Sequence, residues 1–483
     1  MFLGSRKSRR DFLVAATGSA LLVGCNRAPS QPDPQASTAA VRSDVPLRVL
    51  LCGDKRWSEM LTTAWSGVSD QALQVTLLDP AVVSVDQWQD KVMAAMKLAD
   101  VGIVPTGMLA ALDAESAFTP PSDDWLSEEG VNVASLFPVI REGLITFGGR
   151  TVALPQGAIQ PSVVVRTDLA SGPLTLPADW ESYIRLATEL NGTSGNDKEP
   201  VVAEPLAPGD AARMFLWRAN TANPPVWLFE RETFTSVIDQ EPYVETLETL
   251  KRCASQYRGA KLTAGEVWSR ITSGQLKMAI AWPAISSQSE RIEEATSCDF
   301  GRLPSVGKAT ERSGSESPST ASTPSIATVR QTLIDTESPV AVMSSHCRQS
   351  ESAKRFLTWL IDGEGTSMIR TAVTGLTPLR AESSVASREE EQNGVGAANS
   401  GSQDYVSVLS ESLSSLNLRP APRLLHYRKY LAALDTAVQS CLDGKQSSQE
   451  ALSVAAKTWD ALTQEVGEMP QHRAWRRTQG LRN

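Results

Sequence analysis

The chain is 483 residues long and carries 46 Lys and Arg against 55 Asp and Glu, a formal charge of −9. Nucleic-acid binding draws its affinity from clustered basic side chains that neutralise phosphates, so a balance this acidic argues against such a partner. The length exceeds what one hydrophobic core usually serves, which predicts two lobes.

Residues 1–25 read as an export signal. Arg6, Lys7, Arg9 and Arg10 precede an uncharged apolar run over residues 12–24, which closes on Leu21-Leu22-Val23-Gly24-Cys25. Such a run would rise only about 20 Å as a helix, too short for a lasting span of a hydrocarbon core near 30 Å. Ser8-Arg9-Arg10-Asp11-Phe12-Leu13 carries paired arginines of the twin-arginine export type. The small residues before Cys25 look like a bacterial lipobox, which predicts acylation of Cys25 and a mature N-terminus there. Ordinary cleavage near the same point is the plainer alternative. Losing four basic residues and one Asp leaves a body near −12. No later apolar run approaches 18 residues, so attachment to a membrane is expected through lipid alone.

Beyond Cys25 stand Cys52, Cys253, Cys298, Cys347 and Cys441, an odd number without C-x-x-C spacing. Buried unpaired thiols are expected rather than a disulfide framework or a zinc site. His346, His426 and His472 are far apart and lack metal-ligand spacing, so neither metal nor cofactor is expected. Residues 26–45, rich in Pro, Ser, Gln and Ala, predict a flexible tether.

In the body, Leu47-Arg48-Val49-Leu50-Leu51 predicts a strand, followed by the loop 52–57 and a helical face of Met60, Leu61, Ala64 and Trp65. A strand at 75–78, a helix through Trp88, Val92, Ala95 and Met96, and a strand at 101–104 follow. Strands alternating with helices indicate parallel βαβ units, whose ligands sit beyond the strand carboxyl ends, here at 52–57 and 105–108.

A second series opens with a strand at 162–166 and a helix capped by Asp179, with Trp180, Ile184, Ala187 and Leu190 on one face. Pro208-Gly209-Asp210 precedes a helix at 211–220, and Tyr243, Leu247, Leu250, Ala254 and Tyr257 mark another face. A helix from Glu266, a turn at Gly274 and a buried strand at 278–281 lead to Trp282-Pro283. Residues 305–328 predict a mobile Ser/Thr/Pro-rich insertion. A strand at 339–343, a helix ending at Gly363, the turn Thr377-Pro378-Leu379-Arg380, a polar stretch at 387–403 and two closing helices complete the chain.

Several stretches together resemble the extracellular solute-binding proteins of ABC importers, in their carbohydrate-binding (family 1) branch. They are Ala99-Asp100-Val101 with Val104-Pro105-Thr106, Ala153-Leu154-Pro155 with Arg166-Thr167-Asp168-Leu169, Leu176-Pro177 with Asp179-Trp180, Ser273-Gly274 with Met278 and Trp282, the helix around Ala353, Thr377-Pro378-Leu379-Arg380, and the last two helices. The match covers most of residues 46–466 in order. It implies an α/β, two-lobed type II periplasmic-binding-protein fold with an interlobe ligand cleft closed by hinge motion. Residues 46–155 with 298–385 would form lobe 1 and residues 156–297 with 400–483 lobe 2, with crossings near 150–160, 295–305 and 380–400. The insertion at 305–328 departs from the family pattern.

The resemblance places Asp54, Lys55 and Trp57 on the loop after the first strand, Thr106 and Gly107 on a facing loop, Asp210 at a helix start, Trp282 on the cleft wall and Arg380 at a second return to the cleft. Sugar recognition needs aromatic plates for the ring face and planar polar groups for the hydroxyls. With 12 Trp against 6 Tyr, some tryptophans are expected to bind ligand. Trp180, Trp268, Trp359 and Trp459 lie on helical faces that need filling and read as core. Trp57, Trp227 and Trp282 stand at loops or strand ends and read equally as cleft or packing, while Asp54 and Asp210 read equally as caps.

The function expected is therefore a lipid-anchored receptor on the periplasmic or cell-surface side of a bacterial membrane, a monomer that hands a sugar or oligosaccharide to ABC permease subunits. An envelope interaction or sensor protein on the same fold is an alternative. A glycoside hydrolase would need two carboxylates roughly 5 to 9.5 Å apart across the scissile bond. Asp123-Asp124 and Glu389-Glu390-Glu391 read as solvated faces, and no G-x-S-x-G motif occurs, so no catalytic residue is assigned.

Overall fold

A computed structural model of the chain describes residues 44–169, 175–193, 199–221, 227–283, 298–305, 332–363, 366, 369–370, 375–381, 405–415 and 418–481. The export signal with Cys25, residues 26–43 of the tether, residues 306–328 of the insertion, the polar stretch 387–403 and the third crossing beyond residue 381 lie outside the described residues.

The strands are, in chain order, β1 (Leu47–Cys52), β2 (Leu73–Leu78), β3 (Val101–Pro105), β4 (Phe118–Thr119), β5 (Thr146–Phe147), β6 (Arg150–Thr151), β7 (Leu154–Pro155), β8 (Ser162–Arg166), β9 (Val202–Ala203), β10 (Met278–Ala281), β11 (Cys298–Gly301), β12 (Thr332–Leu333), β13 (Pro339–Ser344) and β14 (Leu418–Arg419). Two larger sheets arise from them. The first runs β2-β1-β3-β13-β4, with β7 beside β13, and the second runs β11-β8-β10-β9.

In the first sheet β1 pairs parallel with β2 (Val49 opposite Val75) and with β3 (Leu50 opposite Gly102). Parallel neighbours need crossovers, and the helices Lys55–Ser66 and Val85–Met96 supply them. Asp54 starts the first helix by accepting from the Trp57 backbone N–H at 2.7 Å. Central β3 is buried along its length, whereas edge strand β2 alternates half-buried and exposed over most of its length. The side chain of Arg48 grips buried Asp100 through Nε (2.9 Å) and a terminal nitrogen (2.6 Å), tying β1 to the entry of β3.

The second sheet has β8 antiparallel to both β10 (Val164 opposite Ala279) and β11 (Val164 opposite Phe300). This corrects the boundary expected at residue 298: Cys298–Gly301 forms ladder hydrogen bonds inside the second sheet, so the chain leaves that sheet only after Gly301. Between the sheets, three segments run side by side. The Ala158 N–H donates to Thr377 Oγ1 at 2.9 Å, the Thr377 N–H to the Ala158 carbonyl at 3.0 Å, and the Ile159 N–H to Ser338 Oγ at 3.0 Å.

Of the closing helices, Tyr427–Leu442 and Ser448–Val466 answer the expected pair, and a third, Glu468–Thr478, follows. Tyr427–Leu442 touches elements of both lobes. At its start the His426 backbone N–H donates to Gln89 Oε1 at 2.7 Å, and further along Asp435 accepts from the Gly209 and Ala212 backbone N–H groups at 2.9 and 3.0 Å. Trp180, Trp268, Trp359 and Trp459 are core residues, and the five later cysteines are free thiols, all buried except half-buried Cys347. No helix among the described residues is long and apolar enough to cross a membrane.

Candidate functional site

Both main sheets turn strand ends toward one cavity of about 540 Å³, well within the range of small-ligand sites. From the first sheet come the turn after β1 (Cys52, Gly53, Asp54 and Trp57), the turn after β2 (Asp79) and Pro105 at the end of β3. The second lobe supplies Trp282 after β10 and the helix start at Gly209, Asp210 and Arg213. Tyr427–Leu442 closes the wall with Arg428, Leu431 and Asp435.

Local sequence explains these placements. A Cβ at Gly53 would lie 2.6 Å from the Trp57 ring, so glycine lets the indole lie across the turn. Pro283 has no N–H to continue the ladder beyond β10, and Trp282 is left at the strand end against the cavity. There it packs edge-on against Trp217, with centroids 5.1 Å apart.

Arg213 lies over both indoles, 5.0 Å from the Trp282 centroid and 5.3 Å from that of Trp217. Its Nε donates to Asp335 Oδ2 at 2.8 Å and another nitrogen to Asp210 Oδ1 at 3.0 Å, while one terminal nitrogen has no partner among the described residues. Burial opposes its charge, but Asp335 and Asp210 outweigh burial and hold Arg213 firmly protonated. Asp210 also accepts from the Ala264 backbone N–H at 3.0 Å, so its carboxylate braces the arginine rather than capping its own helix.

Arg428 repeats the arrangement on the helix Tyr427–Leu442. Its guanidinium lies 3.6 Å from the Trp88 ring centroid and is gripped by Glu337, to which the Tyr427 hydroxyl also donates at 2.9 Å. Burial again disfavours the charge, and Glu337 with the Tyr427 hydroxyl more than offsets it. Burial pushes the Asp435 carboxyl up, against the pull of the backbone N–H groups of Gly209 and Ala212. Five carboxylates (Asp54, Asp79, Asp210, Glu337 and Asp435) line the cavity against two guanidinium groups, leaving it negative.

Of the residues expected from the sequence, Asp54, Trp57, Asp210 and Trp282 meet at this cavity. Lys55 does not. Its side chain is 84% exposed on the outer face of its helix, 3.5 Å from Glu59. Thr106 is fully buried, its hydroxyl donating to the Leu144 carbonyl at 3.0 Å, and Gly107 lies against the Tyr427 ring. Trp227 is 47% exposed and sits beside Trp475 and Arg419 in a different hollow. Arg380 reaches Ser135 Oγ at 2.7 Å and the Val131 carbonyl at 2.7 Å, away from the cleft.

Sequence reasoning missed Arg213, Arg428, Glu337 and Trp88. The Asp210–Arg213 spacing of three on a helix was a readable signal. Glu337 and Arg428 are 91 residues apart and carry no local pattern.

No family model matches the chain, and no curated protein matches its sequence. Among solved structures the chain is similar to an ABC transporter solute-binding protein from Agrobacterium radiobacter K84 in complex with ribitol, at 17% identity and a TM-score of 0.64, covering 86% of this chain and 98% of that one. Maltose-bound MalE3 of T. maritima aligns at 16% identity and a TM-score of 0.60, covering 86% and 100%. The sugar-binding protein MalE from the phytopathogen Xanthomonas citri aligns at 12% identity and a TM-score of 0.61, covering 87% and 98%. These likenesses establish the two-lobed periplasmic-binding-protein fold, and each of the three is described as a binding protein or as a ligand-bound one.

Proposed function

We propose that this chain is the substrate-binding receptor of an ABC importer, lipid-anchored at Cys25 after export, which captures a sugar or polyol between its lobes and delivers it to a membrane permease. The observation that carries this reading is that two arginine–tryptophan pairs line one interlobe cavity: Arg213 over Trp282 and Arg428 over Trp88. The neighbours described with ribitol and maltose support the ligand class.

Indole faces suit the apolar side of a sugar ring, and fixed guanidinium and carboxylate groups suit its hydroxyls. Both arginines are already clamped by Asp335, Asp210 and Glu337, so little side-chain entropy is lost when a ligand arrives. The surplus of carboxylates disfavours an anionic ligand and accepts hydrogen bonds from neutral polyols. The receptor would act as a monomer on the periplasmic or cell-surface side, with hinge closure at the three adjacent interlobe segments.

A thermal-shift screen of ribitol, maltose and maltooligosaccharides, followed by calorimetry and solution scattering, tests the reading. Saturable stabilisation with compaction is expected. Stabilisation by amino acids in place of polyols would overturn the ligand class. Labelled palmitate entering the wild-type chain but not Cys25→Ala tests the anchor, and a permease gene beside this one separates transport from an envelope sensor.

A further inference from the structure

A second cavity, of about 890 Å³, shares no lining residue with the cleft. Its walls are the helix Leu109–Ala114, the ring of Phe147 and the closing helix Glu468–Thr478. Apolar contacts come from Ala110, Ala114, Phe147 and Leu425, while the closing helix contributes Arg473, Arg476 and Arg477 together with His472. Asp113 is the one acidic side chain among the lining residues. In a chain of charge −9 this concentration of cations runs against the overall balance.

Asp113 is already shared. Arg477 donates to its Oδ1 at 2.9 Å, and Arg150 approaches the same oxygen at 3.9 Å. The Arg477 guanidinium lies 5.2 Å from the Phe147 centroid, and its Nε is buried without an acceptor among the described residues. Burial, Arg150 and Arg473 all weaken its hold on the proton, and Asp113 compensates only in part. A Cβ at Gly148, whose φ is +61°, would lie 2.9 Å from this guanidinium, so glycine there leaves the arginine its place.

We propose that this cavity is a binding site for a phosphate-class oxyanion, carried either by a small phosphorylated compound or by a lipid headgroup. Planar guanidinium groups donate in pairs to tetrahedral oxyanions, and Arg473 and Arg476, one turn apart on a helix, can converge on a single group. The apolar wall around Phe147 lowers the local dielectric and strengthens each such contact. An oxyanion would also relieve the repulsion between Arg150, Arg473 and Arg477.

The test uses the mature chain from residue 25 as Cys25→Ala, so that neither the basic apolar leader nor an acyl group holds it to vesicles. Tripolyphosphate is titrated calorimetrically at fixed ionic strength, and flotation is measured with phosphatidylglycerol against phosphatidylcholine vesicles. Saturable tripolyphosphate binding supports a soluble ligand, and flotation with phosphatidylglycerol alone supports a headgroup. In either case the double variant Arg473→Gln/Arg476→Gln, both exposed positions, should weaken binding by about tenfold or more, while Trp282→Phe in the cleft leaves it unchanged. Absence of both signals, binding indifferent to the double variant, or an equal response to chloride would overturn the assignment.

Discussion

The guanidinium of Arg213 lies 5.0 Å from the ring centroid of Trp282 while its Nε donates to Asp335 at 2.8 Å, so one side chain links the cleft wall to an interlobe segment. Trp282 therefore has two duties, facing the cavity and packing on Trp217. It is only 4% exposed. Trp282→Ala should cost about 3 to 5 kcal/mol of stability, like a core tryptophan. Trp282→Phe keeps most of the packing and isolates stacking. Polyol affinity in that variant should fall by up to about 1 to 3 kcal/mol, a range taken from aromatic anchors at interfaces. Calorimetry beside chemical denaturation separates the two effects, and unchanged affinity would return Trp282 to the core.

Asp335 is 3% exposed at its side chain, and losing its arginine would leave a charge in the interior. Arg213→Met should destabilise by about 3 to 5 kcal/mol. Adding Asp335→Asn should recover part of that loss, with a coupling of about 1 to 3 kcal/mol in a double-mutant cycle. Additive losses in urea titrations would mean that the pair does not act as a unit.

The Asp100 side chain is fully buried, and burial alone would push its carboxyl up. Hydrogen bonds from Arg48 and from the Arg348 backbone prevail and hold it below the usual range. An acid whose folded value lies below its unfolded value, about 3.9 for Asp, adds stability above that value and loses it as pH falls through the folded one. Asp100→Asn should cost about 2 to 3 kcal/mol at pH 7, and the gap to wild type should narrow below about pH 4. A gap that stays constant in urea melts from pH 7 down to 3 would contradict this account.

Gly375 has φ +63°, and a Cβ there would fall 1.5 Å from the Pro283 carbonyl oxygen. No side-chain rotation relieves a clash with backbone. Gly375→Ala should destabilise by more than about 2 kcal/mol, the left-handed penalty plus the displacement. Because Pro283 follows Trp282, polyol affinity should fall as well. A thermal melt and a titration on the same sample check both effects.

The sequence made the long elements legible where burial is two-sided or periodic. Val101-Gly102-Ile103-Val104 and Met278-Ala279-Ile280-Ala281 are uninterrupted apolar runs, and Asp179 forms a full capping box with Ser182. Two-residue strands such as Val202–Ala203 and Leu418–Arg419 have no period to read, and Glu468–Thr478 is too polar to suggest a buried face, although Gln471, Ala474 and Trp475 make one. Within the cleft, Asp54, Trp57 and Trp282 were accessible because strand ends in α/β sheets face ligands. Thr106 failed the same rule because its hydroxyl turns inward to the Leu144 carbonyl. Trp88 fits a helical stripe, and only the fold reveals that Arg428 stacks on it.

Asp435 meets Gly209 across 226 residues, Arg213 meets Asp335 across 122, and Arg428 meets Glu337 across 91. Contacts this distant in sequence can form only after the segments between them have collapsed, and the helix carrying Arg428 and Asp435 leaves the ribosome after every strand of the two larger sheets. The cavity is accordingly a late product of folding, assembled after each sheet has its own core. A ligand bound there would slow the escape from the native state and leave the rate of reaching it almost untouched.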